Sequence, residues 1–578
     1  MWRLMTTTNL PRRRLLQAAT ALGAASLLPS WARSASPGLA TLSGDQINLT
    51  VGHTPVRIDG RAGHAVSVNG TVPAPLIRLK EGQNVRLSVA NRLHDEDTSI
   101  HWHGLLLPFQ MDGVPGVSFP GIKPGETFHY EFKVRQNGTY WYHSHTGHQE
   151  QMGHYGPIVI DPAGADPVAY DREHVVVLSD YSFTHAHTLM RKLKAQAGYS
   201  NRQKQTVAGL MSGRDQGQKD RAAWAAMRMD PTDILDVTGA DYTYLVNGHG
   251  PTDNWTALFA LGERVRLRFV NAGAMTIFNV RIPGLKLSVV QADGQNVRPV
   301  EVEEFQISPA ETYDVVVQPT EDRAYALVAE AADRSGMGRA TLAPRPGMTA
   351  TFPPLRQRPL LTMKDMGMGM GGMGGMAGMD HGAMAGHDMG HGSMKMLDPN
   401  NAPQVKTGPG VQMISPMPMD RTGEPGVGLE DVGHRVLVYT DLVALEANPD
   451  PRPPSRQMEI HLTGNMERFM WSFDGERYSH LKAPIAFRYD ERVRVVLVND
   501  SMMNHPIHLH GHFLEVVNGH PGQHPLKHTV NVPPGGKVAF DLTANERGDW
   551  AFHCHMLFHM HAGMFNVVTV RPLEGDAA

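Results

Sequence analysis

At 578 residues the chain is longer than one hydrophobic core usually organises, so we expect three or four domains. Hydrophobic residues at 41% and charged residues at 19% are the proportions of an ordinary soluble protein, whereas 33 methionines are a high count. The formal net charge of −4 argues against nucleic acid as a partner and favours neutral or cationic substrates.

Residues 1–36 have the features of an export signal. Arg12, Arg13 and Arg14 precede an apolar run from Leu15 to Leu28, which is too short to span a bilayer. The segment around the three arginines resembles a twin-arginine signal. We therefore expect a periplasmic protein without a membrane span, with an uncleaved signal anchor as the alternative.

Three short phrases recur in the same order three times along the chain. The first alternates polar and apolar residues in the manner of a strand, at residues 82–91, 262–271 and 491–499. The second and third phrases follow each copy, the second at 124–132, 309–317 and 534–542 and the third at 138–145, 323–330 and 548–555. The repetition predicts an all-β protein of three Greek-key β-sandwich domains, at 45–165, 170–345 and 431–574. Helical signal is confined mainly to about residues 186–229.

The linker predicted at 346–430 contains a segment rich in Met, Gly and His. Between Met363 and Met396 it holds 11 methionines and too little branched apolar surface for a core, so we expect a disordered or weakly ordered insert. Thioether sulfur is a soft ligand that suits Cu(I). The insert therefore suggests a segment that collects Cu(I).

Pairs of histidines separated by one residue occur in the first and third repeats. They are His101 and His103, His143 and His145, His508 and His510, and His553 and His555. On a strand, residues i and i+2 project to one face, so each pair directs two imidazoles the same way. We expect the first and third domains to pack together around metals held by these eight side chains. The equivalent stretches 278–280 and 328–330 of the middle domain lack histidine, which predicts that this domain is a spacer or scaffold.

Cys554 is the single cysteine, so it cannot form an internal disulfide. It is followed by His559 and Met564 at spacings that supply thiolate, imidazole and thioether from one loop, and His505 can supply a second imidazole. This mixed set favours blue copper over the alternative of a structural zinc site. Because Cys554 lies between two histidines of the last pair, the chain itself would conduct electrons between sites.

Four motifs carry a resemblance to a known family. They resemble the copper-binding signatures of multicopper oxidases and stand at 101–104, 143–145, 505–511 and 553–559 with Met564. The signal, the phrase Met111–Gly116 and the Met-rich insert resemble more narrowly the periplasmic copper-resistance oxidases of the CopA/PcoA type. The resemblance covers residues 45–574. It implies cupredoxin-like domains, four copper ions, and dioxygen as the electron acceptor.

The resemblance also implies a role for each ligand. A type 1 copper would bind to His505, Cys554, His559 and Met564, and a type 2 copper to His101 and His508. The two type 3 ions would take His103, His143 and His555, and His145, His510 and His553.

The sequence offers more than one residue that could supply protons to such a cluster. Asp112 matches an acidic residue that helps manage protons in this superfamily, although Asp-Gly is also an ordinary turn sequence. Many relatives have a carboxylate in the loop after the cysteine, where this chain has Met560 and His561. His561 or an acid such as Glu150 would then carry the proton.

Two enzymatic substrates fit the sequence, Cu(I) and small phenols, and the Met-rich insert favours Cu(I) oxidation in copper resistance. A periplasmic copper carrier is a further candidate partner. A copper-binding storage protein is the alternative from another functional class, although storage needs no complete set of type 3 pairs.

Overall fold

The computed structural model describes residues 38–368, 396–480 and 483–572. The signal at 1–36 and most of the Met-rich insert lie outside these ranges. Strands predominate, and the described helices are Ala186–Ala195, Val207–Met211, Gln218–Met227 and Leu557–Ala562, with 3-10 turns at Phe109–Met111, Ala197–Tyr199, Met363–Met366, Tyr439–Asp441 and Tyr478–His480. The predicted all-β class of three cupredoxin-like domains is confirmed.

The first domain is a sandwich of two sheets. One has the strand order Arg61–Val68, Gln46–Ile58, Asn84–Asn91, Thr127–Lys133. The other has the order Thr41–Ser43, Leu76–Lys80, Tyr155–Asp161, Gly138–His143, His101–His103. Alternate residues of these strands face a separate apolar core that includes Leu87, Trp102 and Tyr142.

The middle domain repeats this plan. Its six-stranded sheet runs Thr243–Val246, Arg172–Tyr181, Val265–Asn271, Thr312–Val317, Leu287–Ala292, Gln295–Val302. Its five-stranded sheet runs Trp255–Leu258, Met337–Ala343, Tyr325–Ala331, Phe278–Arg281, Glu304–Ile307. Where the other domains have histidine pairs, buried Glu330 accepts hydrogen bonds from Arg281 at 3.1 Å and Arg356 at 2.6 Å. Ion pairs thus replace imidazoles in this domain.

The third domain has the same two-sheet form. One sheet runs Met470–Phe473, Arg456–Asn465, Arg492–Asn499, Gly536–Thr543, Leu514–Val516, Leu526–Lys527, with Met419–Asp420 beside Gly536–Thr543. The other runs Ile485–Arg488, Phe565–Arg571, Gly548–Cys554, His505–Leu509, Thr529–Val532. One continuous apolar core joins this domain to the middle domain.

One asparagine ends the repeated strand in every domain. Asn91, Asn271 and Asn499 each donate from Nδ2 to two backbone carbonyls. Each of these strands also pairs in parallel with the first long strand of its domain. The sequence repeat is therefore a repeat of three-dimensional contacts. Among the described residues, no helix is both long enough and apolar enough to cross a membrane.

Candidate metal centre

Adjacent antiparallel strands present the histidines in both outer domains. In the first, His101–His103 pairs with Gly138–His143. In the third, His505–Leu509 pairs with Gly548–Cys554. A short loop after each second strand adds one more histidine. Equivalent pairs of strands thus supply imidazoles in the first and third domains.

The eight paired histidines meet in one place, which we name the histidine cluster: His101, His103, His143, His145, His508, His510, His553 and His555. Rings from opposite ends of the chain stack on each other. His101 lies on His510 with ring centroids 3.9 Å apart, and His103 lies on His508 at 3.8 Å. Seven of the eight are buried, and His145 is partly exposed. The predicted meeting of the first and third domains is therefore present.

Within the cluster, three groups of three histidines bring their ring nitrogens within 4.8 Å of one another. The groups are His103, His143 and His555; His145, His510 and His553; and His101, His103 and His508. The first two are the sets that the family resemblance implies for the two type 3 ions. The third contains both residues assigned to type 2. The assignment of individual ions to these groups stays a prediction.

The unpaired nitrogens of the cluster fit bound metal. A buried polar atom without a hydrogen bond is costly, so it calls for a partner. Of the eight cluster histidines, all within the described ranges, four have a buried Nε2 atom without a hydrogen-bond partner: His101, His143, His508 and His555. Two more, those of His145 and His510, lie 3.3 Å and 3.1 Å from Nε2 of His553. Metal ions would satisfy all of them.

Burial also sets the protonation state of these rings. It lowers the pKa of His553 to about 3 and the pKa values of His103, His143 and His555 well below their usual range, with neighbouring imidazoles adding to the effect. A neutral imidazole is the form that binds a metal. The cluster is therefore ready to bind cations without first losing protons.

A second group, the cysteine site, consists of His505, Cys554 and His559. Sγ of Cys554 lies 3.6 Å from Nδ1 of His505 and 3.7 Å from Nδ1 of His559. All three side chains are fully buried. Burial raises the pKa of the Cys554 thiol, so a metal that binds here must displace its proton. The predicted axial residue Met564 is also fully buried, and its carbonyl oxygen accepts a hydrogen bond from the Cys554 N–H at 3.1 Å.

Comparison with known proteins agrees with this geometry. Models of the multicopper oxidase family match residues 50–165, 172–347 and 451–574. Copper resistance protein A of Escherichia coli is 47% identical over 97% of this chain and 99% of its own length. The protein of the same name from Pseudomonas syringae pv. tomato is 48% identical, over 96% and 98%.

The chain belongs to the multicopper oxidases. It is therefore an oxidoreductase whose cofactor is copper, four ions in this family, and dioxygen is one of its reactants. A laccase structure from Botrytis aclada shares the fold, with a TM-score of 0.61 and 20% identity over 94% of this chain and 89% of that one.

Two buried carboxylates contact the histidine cluster of this multicopper oxidase. Asp112 accepts a hydrogen bond from Nδ1 of His510 at 2.8 Å, and its backbone carbonyl accepts one from Nδ1 of His101 at 2.7 Å. Oε2 of Glu150 lies 2.7 Å from Nδ1 of His143. Burial raises the pKa of both carboxyl groups. Asp112 is thus in contact with the cluster and is more than a turn residue.

The two candidates for proton transfer after Asp112 occupy different positions. His561 is partly exposed, and its Nε2 donates to the Gly147 carbonyl at 2.5 Å. Glu150 is 2% exposed and touches the cluster. Of the two, Glu150 is the residue in contact with the cluster histidines.

The sequence analysis did not identify the residues that contact the outward ring nitrogens of the two cysteine-site histidines. Nε2 of His559 donates to Oδ2 of Asp236 at 2.7 Å, and Nε2 of His505 lies 2.8 Å from Oγ of Ser501. Such contacts fix which ring nitrogen faces a metal. No ligand spacing in the sequence marks these two residues. Asp236 also shows that the middle domain, which lacks the histidine pairs, contributes a side chain that contacts the cysteine site.

Proposed function

We propose that this multicopper oxidase is periplasmic and oxidises Cu(I) to Cu(II) at a type 1 site. In this proposal His505, Cys554, His559 and Met564 hold the type 1 copper, and His101 and His508 hold the type 2 copper. The type 3 pair is held by His103, His143 and His555 on one ion, and by His145, His510 and His553 on the other. When bound, the four copper ions accept substrate electrons singly and reduce dioxygen by four electrons to water.

The position of Cys554 is the observation on which the proposal rests. Its side chain belongs to the cysteine site, whereas its neighbours His553 and His555 belong to two different groups of the histidine cluster. A few covalent bonds therefore connect the two sites. The nearby backbone reinforces this link, since the Cys554 carbonyl accepts a hydrogen bond from Nδ1 of His553 at 3.0 Å.

The protein's own groups have distinct tasks in this reaction. Asp236 and Ser501 hold the two imidazoles of the cysteine site with Nδ1 toward the sulfur. Asp112 and Glu150 hold imidazoles on two sides of the cluster, where protons must arrive as dioxygen becomes water. The raised pKa of each carboxyl group allows it to hold a proton at the cluster.

A cavity of about 570 Å³ supports Cu(I) as the substrate. Its lining includes the sulfur-bearing side chains Met227, Met229, Met363, Met368, Met396 and Met413. Imidazole and carboxylate ligands suit harder ions, whereas thioethers select Cu(I). The cavity lies where the Met-rich insert leaves and rejoins the described chain, at Met368 and Met396. An insert that collects Cu(I) would release it there.

The cavity wall leads to the cysteine site. Asn465, which lines the cavity, pairs with Met470 on the neighbouring strand. The next residue is Trp471, whose ring centroid lies 4.0 Å from that of His559. The ring centroid of Phe469 also lies near that of His559, at 6.0 Å. An electron released in the cavity thus has a short packed route to a ligand of the proposed type 1 copper.

Oxygen uptake distinguishes this proposal from its alternatives. The copper-loaded protein should consume about one dioxygen for every four Cu(I) ions added, because dioxygen takes up four electrons on reduction to water. Rapid oxygen uptake with phenols and none with Cu(I) would instead establish a laccase-like enzyme. Fully loaded protein that consumes no dioxygen with either substrate would establish copper storage.

Replacing the cavity methionines is expected to weaken Cu(I) oxidation selectively. The double variant Met227→Leu, Met368→Leu keeps apolar volume and removes two soft ligands, so we expect KM for Cu(I) to rise about tenfold or more, a loss of about 1.4 kcal/mol. Phenol turnover should be unchanged. Met417→Leu, at a methionine that is 48% exposed, is the matched control. A KM for Cu(I) equal to that of the control would remove the cavity from the substrate path.

We also propose a role in copper resistance, as the names of the two relatives suggest for those proteins. The twin-arginine-like signal supports the periplasm as the compartment. Export in a folded state is compatible with a protein that buries ten of the eleven side chains of the cluster and the cysteine site. A periplasmic copper carrier that delivers Cu(I) to the insert is the partner we expect.

A further inference from the structure

A third group of histidines lies beside the two metal-binding groups already described. His148 is in contact with His561, with ring centroids 4.4 Å apart, and with His187, at 4.6 Å. We name these three residues the outer histidine site. None of them belongs to the histidine cluster or to the cysteine site. The function proposed above therefore assigns them no ligand.

Three distant segments supply the outer histidine site. His148 follows the first-domain strand that ends at His143, and His187 is in the first turn of the middle-domain helix Ala186–Ala195. His561 lies in the third-domain helix Leu557–Ala562. The site thus lies where all three domains meet. It opens to solvent at His187, which is exposed.

His148 is partly buried, and both of its ring nitrogens are enclosed without hydrogen bonds. Both Nδ1 and Nε2 are inaccessible to solvent and have no hydrogen-bond partner in the described part of the chain. A buried imidazole normally has at least one partner, so two unsatisfied nitrogens point to a ligand that is not part of the protein. In the histidine cluster, the unpartnered nitrogens of His101 and His508 occur in the same way.

The other two rings are also suited to a metal ion. Nε2 of His561 donates to the Gly147 carbonyl, which leaves Nδ1 free to bind an ion, as backbone carbonyls commonly do for metal-binding histidines. The ring of His187 is exposed and can turn toward His148. The centroid separations are shorter than those between His145 and His510, 5.1 Å, or His145 and His553, 5.0 Å, in the cluster.

We infer that His148, His187 and His561 bind one Cu(II) ion in addition to the four cofactor ions. The outer histidine site offers imidazoles only, whereas the cavity offers thioethers and the cysteine site a thiolate. A set of nitrogen ligands binds Cu(II) more tightly than other divalent first-row metals. Lys194, an exposed side chain, places a positive charge near His148 and opposes cation binding. Its removal should therefore tighten the site.

Titration of the four-copper protein with Cu(II) tests this inference. Copper bound per chain is measured by calorimetry, and imidazole coordination by the nitrogen hyperfine pattern in electron paramagnetic resonance. We expect His148→Ala to lose one nitrogen-coordinated Cu(II) or to bind it at least about tenfold more weakly. His129→Ala, at an exposed histidine of the first domain, is the matched control and should bind as the unsubstituted protein does.

Two further variants make the result decisive. His187→Ala changes an exposed side chain, so folding is preserved, and it should weaken the same Cu(II), whereas Lys194→Ala should tighten it. Histidines of the Met-rich insert are present in every variant and cancel in the comparison. Identical isotherms and spectra for the unsubstituted protein, His148→Ala and His187→Ala would overturn the inference. That result would leave the oxygen-uptake evidence for the oxidase intact, because no residue of that function is altered.

Discussion

Cys554→Ser is expected to abolish the blue colour of the copper-loaded protein and to lower its oxidase turnover by at least about 10³-fold. Serine preserves the volume of the buried side chain but supplies no thiolate. The cysteine site would keep His505 and His559, whose Nδ1 atoms lie 3.2 Å apart, yet its remaining donors no longer select copper of the blue type. Electrons from the substrate would also lose their covalent route to the cluster.

The effect should be confined to the cysteine site. Spectroscopic signals from copper in the histidine cluster should persist, because Cys554 contributes no side-chain atom to that cluster. Thr463→Ser, a similarly small change in a buried residue of the third domain, is the control and should retain colour and turnover. Retention of the blue absorption by Cys554→Ser would contradict the assignment.

Asp112→Asn is expected to slow reoxidation of the reduced protein by dioxygen about 100-fold. The asparagine carbonyl can still accept the hydrogen bond from Nδ1 of His510, so the ring should stay in place. The amide cannot hold and release a proton as a carboxyl group does. The loss should therefore appear in the reaction with dioxygen, and anaerobic bleaching of the blue colour by substrate should keep its rate.

Stopped-flow measurement of the two half-reactions separates these effects. The pH dependence of reoxidation should also change in Asp112→Asn, which a purely structural role would not cause. Asp549→Asn, at a partly exposed residue paired with Arg571, is the control. If Asp112→Asn reoxidises at the rate of this control, protons reach the cluster by another group, and Glu150 becomes the residue to substitute.

Much of the fold could be predicted because each sequence repeat corresponds to one strand and recurs in each domain. Asn91, Asn271 and Asn499 mark equivalent strand ends in the sequence and make equivalent hydrogen bonds in the structure. The histidine groups were predictable for a related reason. Residues two apart on a strand share a face, so the sequence alone indicated which imidazoles point together.

The surroundings of the metal groups could not be predicted, since they depend on contacts between distant segments. Asp236 reaches His559 across 323 positions, and nothing in the residues around Asp236 indicates that contact. The methionine-lined cavity also depends on contacts between distant segments. Met227 belongs to the middle domain and Met413 to the linker that follows it, and only packing brings both to one wall. The outer histidine site joins three domains in the same manner.

Anomalous scattering at the copper edge, measured on crystals of the copper-loaded protein, tests the central claim most directly. The account predicts one copper about 2.3 Å from Sγ of Cys554, in contact with His505 and His559, since metal–thiolate bonds have about this length. It predicts three more among the eight histidines shared by the first and third domains. An empty position at Cys554, or a histidine cluster without copper in fully loaded and active protein, would contradict it.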